Sequence, residues 1–124
     1  MLSYNTNYGQ MSNAVLNDSQ TLLDDPEQLT TDGELSFMSA LWYYMYPQYP
    51  KPSMHDAILG FFEPSQADID ANICTGCFGT TTNLINGQEC GQQSADASLR
   101  ADYFEDFCDE LGGQCPLLNT ECID

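Results

Sequence analysis

Between Glu34 and Met45 almost every face of a helix would be apolar. Leu35, Met38, Leu41, Trp42 and Met45 recur at helical spacing, and Phe37, Tyr43 and Tyr44 fill the other faces. A helix apolar nearly all round is buried by neighbours on several sides, so this stretch is predicted to be a central one. Thr31 and Glu34 fit a capping box at its start, and Pro47 stops it. Lys51 follows in the Pro47–Pro52 loop.

The flanks carry weaker patterns. Residues 1–12 are polar and rich in Asn and Tyr, which predicts a loop or a helix entry, and Asn7-Tyr8-Gly9 is a turn signal. A faint helical period runs from Met11 to Leu16, then a short apolar step at Leu22-Leu23, and Pro26 with its acidic flank resets the chain. Ser53 is a suitable N-cap for a helix through Ile58, ended by Gly60. Ser65, with Asp68 three residues on, caps a second short helix. Residues 72–92 are dominated by Gly, Thr and Asn, which predicts a structured loop with at most a turn of helix around Asn83–Ile85. The last helix places Leu99, Tyr103, Phe104, Phe107 and Leu111 on one face and acids on the other, and Gly112 ends it. No strand pattern is convincing. The fold class is mainly α, with long ordered loops.

Charge narrows the choice of partner. Two basic residues stand against nineteen acidic ones, a formal charge of -17 in 124 residues, enough chain for one domain. Nucleic acid and anionic membranes both call for clustered Lys and Arg, so neither is expected as a partner. The plain reading of so much acid is a solvated surface, suited to a salty medium. No apolar run approaches the roughly 20 residues of a membrane span. Residues 1–30 lack the basic and apolar regions of a secretory leader. All six cysteines, however, lie between Cys74 and Cys122 and point to an oxidising compartment. Export chemistry without an export signal leads to the expectation that Met1 is not the natural N-terminus.

Four stretches, taken in order, resemble the family 19 glycoside hydrolases, the plant-type chitinases. Leu2-Ser3-Tyr4-Asn5-Thr6-Asn7-Tyr8-Gly9 is similar to the family's Leu-Ser-Trp/Tyr-Asn-Tyr-Asn-Tyr-Gly segment. Phe37-Met38-Ser39-Ala40-Leu41-Trp42, then Pro47-Gln48 and Lys51-Pro52-Ser53-Met54-His55-Asp56, resembles its central helix and the loop behind it. Thr82-Asn83-Leu84-Ile85-Asn86-Gly87 with Glu89-Cys90-Gly91 resembles its Asn-rich substrate loop, and Arg100 stands eight residues before Cys108 as an arginine does there. The resemblance implies a partial lysozyme-like chitinase fold, with helices joined by disulfide-stapled loops. It also implies hydrolysis of β-1,4-linked N-acetylglucosamine polymers with inversion.

Inversion pairs a general acid with a general base roughly 6.5–9.5 Å apart, leaving room for the attacking water. In the family both glutamates lie upstream of the Leu-Ser motif, the acid in a His-Glu-Thr-Thr-Gly-Gly-like segment that is absent here. The resemblance therefore covers residues 1–124 as the C-terminal portion of one catalytic domain, without acid or base, and an inactive chain is expected. Ser3 matches the serine that positions the attacking water; otherwise a loop serine is an N-cap or a solvent contact. Asn7, Gln48, Lys51, Ile85 and Asn86 match cleft positions, where amides suit sugar hydroxyls and acetamido groups because they both donate and accept. For Asn86 the alternative is a turn former before Gly87. Glu89 and Arg100 match a network that in the family orders the catalytic acid, by bidentate guanidinium contact; otherwise Arg100 is an exposed helix residue. His55 reads as a hydrogen-bond partner at a helix start rather than as a catalyst.

Three departures stand out. Thr6 replaces an aromatic, the loop Asn86-Gly87-Gln88-Glu89 is one residue shorter than the commonest family form, and Cys74-Thr-Gly-Cys77 replaces an Arg-Val-Pro-Gly-like turn. The resemblance implies a Cys90–Cys122 disulfide, which would contribute about 3–4 kcal/mol in the chain-entropy picture. Cys74 with Cys77 and Cys108 with Cys115 are further pairings, with a free buried Cys108 the alternative. Cys74-x-x-Cys77 also fits half a zinc site or a redox pair, but a second cysteine pair and a strand–helix context are both missing. No cofactor or metal is expected. The expected partners are chitin or N-acetylglucosamine oligosaccharides, for a secreted monomer. The alternatives are a non-catalytic chitin-binding relative and a small disulfide-stapled protein without sugar contact.

Overall fold

The computed structural model describes residues 2–70, 76–90, 94–115 and 122. Among these the chain is helical, without strands, and divides into two compact units, residues 1–46 and 47–124.

The first unit is built from α1 (Asn5–Leu16), α2 (Thr21–Asp24), α3 (Gln28–Thr31) and α4 (Gly33–Met45). The Asn7-Tyr8-Gly9 turn signal is overridden, and one helix runs from Asn5 to a left-handed Asn17. Burial of Asn7 and Met11 on its inner face outweighs local preference. At Gly9 an added side chain would meet Leu23 Cδ1 at 3.4 Å, an ordinary van der Waals contact, so packing there does not demand glycine. Ser12, fully buried, ties α1 to α2 because its hydroxyl donates to the Asp18 carbonyl and accepts from Leu22 N. The core comprises Leu2, Met11, Leu22, Leu35 and Trp42. Tyr46 stacks on Trp42 with ring centroids 4.7 Å apart.

Two expectations about α4 are corrected. Its N-cap is Asp32, whose Oδ1 accepts from Glu34 N at 2.9 Å and Leu35 N at 3.1 Å. Thr31 is already committed as the last residue of α3, where its hydroxyl turns back to the Glu27 carbonyl. Nor is the helix buried all round: Phe37, Leu41 and Met45 are 69%, 51% and 53% exposed, on the side away from Leu35 and Trp42.

The second unit holds α5 (Met54–Ile58), α6 (Gln66–Asp70), α7 (Phe78–Asn86), a 3-10 turn over Gly87–Glu89 and α8 (Ala95–Glu110). Ser53 caps α5 as expected, its hydroxyl accepting from Asp56 N at 3.0 Å. The predicted loop over 72–92 is instead largely helix from Phe78 onward. Its threonines are poor helix formers in isolation. Here Thr80, Thr81 and Thr82 are buried, the Thr81 hydroxyl is satisfied by the Phe78 carbonyl at 2.7 Å, and Phe78 stacks on Phe104 of α8 at 4.3 Å. Tertiary packing decides against propensity.

The face of α8 is also corrected. Ala97, Ala101 and Cys108 are buried and Phe104 half-buried, whereas Leu99, Tyr103, Phe107 and Leu111 are exposed. Small alanines carry little hydrophobic signal, yet they let a helix approach a neighbour closely. Disulfides join Cys90 to Cys122 and Cys108 to Cys115. Cys77 is disulfide-bonded, and Cys74 lies outside the described residues. No described helix is long and apolar enough to cross a membrane.

Candidate functional site

The C-terminal end of α7 gathers both cations of the chain. A helix leaves its last four carbonyls without intrahelical partners and carries partial negative charge there. One of these is the carbonyl of Asn83, and Lys51 Nζ, reaching over from the Pro47–Pro52 loop, donates to it at 3.1 Å. The backbone of that loop turns through a Lys51 N to Gln48 O bond of 2.9 Å. Behind it lies a cavity of ≈340 Å³, lined by Lys51, Pro52, Phe62, Glu63, Asn83 and Leu84 among others.

Six residues further on stands the second clamp. Glu89, only 8% exposed, closes the 3-10 turn and faces α8. Arg100 Nε donates to its Oε2 at 2.9 Å, and Arg100 Nη2 reaches its Oε1 at 3.3 Å, a two-pronged grip on one carboxylate. Asn86 Nδ2 donates to the same Oε1 at 2.8 Å. Arg100's hydrogen bond, aided by Asn86 and by the guanidinium charge, holds the Glu89 carboxyl below the ordinary glutamate range despite its burial. The same bond raises the Arg100 guanidinium further. A carboxylate so held is ionised near neutral pH and is no proton donor. It works as a fixed anchor.

The shortened loop does not displace Glu89 from Arg100. At Gly87 an added side-chain carbon would come within 2.6 Å of Asn83 Oδ1, so the Asn83 side chain would have to move to admit it. Asn86 is exposed and Ile85, one residue before it, is half-buried. Gln48 is half-buried, and its Nε2 is buried without a partner among the described residues. Lys51, Asn86, Glu89 and Arg100 are thus connected through α7 and its exit turn. Asn83 was not singled out from sequence; as a helical residue that accepts through its backbone, it leaves no side-chain signal to find.

Ser3 and Asn7 belong to the first unit. Asn7, buried at the start of α1, donates through Nδ2 to the Ser3 carbonyl at 2.7 Å, which fixes the backbone that carries the exposed Ser3 hydroxyl. His55 is half-buried in α5. Among the described residues no cluster of His, Cys, Asp and Glu could hold a metal ion.

Comparison with known proteins places this arrangement. A family model described as chitinase class I matches residues 1–122. Endochitinase 1 of Theobroma cacao is 46% identical over 113 residues, covering 90% of this chain and 34% of that protein. Endochitinase B of Nicotiana tabacum is 45% identical over 124 residues, 98% of this chain and 36% of its own length. Chitinase 9 of Oryza sativa is 45% identical over 113 residues, 90% of this chain and 33% of its own length. The chain spans about a third of the length of the curated relatives it matches. With the match running through nearly every residue, the chain belongs to the class I chitinases, the family 19 glycoside hydrolases.

Proposed function

We propose that this chain is the C-terminal, sugar-holding portion of a secreted family 19 chitinase domain, whose parent hydrolyses β-1,4-linked N-acetylglucosamine polymers with inversion. The observation that carries the reading is the Lys51–Asn86–Glu89–Arg100 cluster at the exit of α7, in a chain that matches the family over residues 1–122. In this reading Asn86, Gln48, Ile85 and Lys51 of the second unit contact sugar; within the first unit Asn7 is a sugar contact and Ser3 positions the attacking water. The general acid and base belong to the region preceding Leu2, so this portion binds sugar without cleaving it. The exposed Phe37, Leu41 and Met45 on α4 support that assignment, as an apolar helix face is normally covered in a finished domain. The disulfides support an extracellular setting.

Reconstitution tests the proposal. The chain is incubated with N-acetylglucosamine hexamer alone, and again with the separately produced preceding region of tobacco endochitinase B. Turnover is expected only in the mixture, with the α-anomer released first. Cleavage by the isolated chain, or no cleavage by the mixture while the two parts associate, would overturn the division of labour.

A further inference from the structure

The Arg100–Glu89 pair does more than fasten the loop; we infer that it fixes which way the Asn86 amide faces, and so makes Asn86 a reader of hydrogen-bond donors on the ligand. This rests on the proposal that Asn86 contacts sugar. An ionised carboxylate can only accept, so the Asn86 group turned toward Glu89 Oε1 must be its NH₂. The opposite end of the planar amide, Oδ1, therefore points away from Glu89. Asn86 is exposed, and no described residue donates to that oxygen. A free amide could turn over and offer either end. This one cannot, because both Glu89 oxygens are held by Arg100 from α8 and the carboxylate has no freedom to rotate. The complementary ligand group is an N–H or O–H donor, such as the N–H of an acetamido substituent. Ether and carbonyl oxygens are refused. Arg100 and Glu89 are positioning residues in this relay, acting through Asn86 without touching the ligand.

Replacing Glu89 by Gln inverts the arrangement with almost no change of shape. Arg100 would retain the Gln oxygen, leaving the Gln NH₂ against Asn86. Asn86 would then turn its oxygen inward and its NH₂ outward. The test is a double-mutant cycle on the full 124-residue chain, reading affinity for N-acetylglucosamine tetramer by calorimetry. Loss of one hydrogen bond predicts about tenfold weaker binding for Asn86→Ala and a similar loss for Glu89→Gln. The double variant should bind no worse than Asn86→Ala alone. Losses that multiply, or a Glu89→Gln protein that binds like the parent while Asn86→Ala does not, would overturn the relay. If Asn86→Ala itself leaves affinity unchanged, the sugar contact at Asn86 fails and the inference falls with it. Should Glu89→Gln not fold, Arg100→Lys decides, since an ammonium cannot hold both carboxylate oxygens. It should weaken binding in the parent and have no effect on the Asn86→Ala background.

Discussion

Glu89 is the residue on which the chemistry of the second unit turns. Its carboxylate is nearly buried and takes three donors from two side chains. Removing Arg100 would leave that acceptor poorly satisfied. Arg100→Ala is therefore expected to cost about 1–2 kcal/mol in denaturant unfolding, the low end of the range for orphaned charged acceptors, because the Arg100 side chain is 38% exposed and water screens the pair. The pH dependence has a definite sign. Folding lowers the Glu89 pKa, so the stabilisation is complete above the unfolded glutamate value of about 4.3 and is lost as pH falls through the lower folded value. As pH falls from the unfolded value through the folded one, stability should fall less steeply with acid in Glu89→Gln than in the parent chain. Parallel curves would mean that the pair contributes nothing to acid stability.

Among the elements, local signals marked some helix starts and stops, missed α7 and misjudged the buried faces. The Ser53 cap, the Pro47 stop and the Gly112 end of α8 are legible in the sequence, because capping oxygens, a ring without an N–H and a left-handed glycine act locally. The threonine-rich α7 was hidden, because its helix exists through burial against α5 and α8 rather than through propensity. In α8 the large apolar side chains, which drew the inner face toward Leu99 and Phe107, are the exposed ones. The cap of α4 offers a direct check on such readings. Asp32→Ala should destabilise the chain by about 1 kcal/mol through loss of two backbone acceptances, while Thr31→Ala should change thermal stability little. The reverse order would restore the capping box at Thr31.

On the scale of the whole molecule, the residues of the candidate site were legible only through the ordered family motifs. Composition offered a warning against nucleic acid and membranes, not a substrate. What no motif conveys is the division of labour among them. Lys51 and Arg100, the two cations in an otherwise acidic chain, are both spent on one segment, Asn83 to Glu89. Two clamps on one helix exit support the proposal of a held platform for a polar ligand, since a preorganised surface loses little entropy on binding. Nuclear magnetic resonance titration of the labelled chain with N-acetylglucosamine tetramer shows whether sugar engages that segment. Perturbations are expected to concentrate at Gln48, Lys51 and Ile85–Glu89, with the tetramer recovered uncleaved. Perturbations confined to the exposed faces of α4 or α8, or none at saturating sugar in a folded sample, would contradict the proposal.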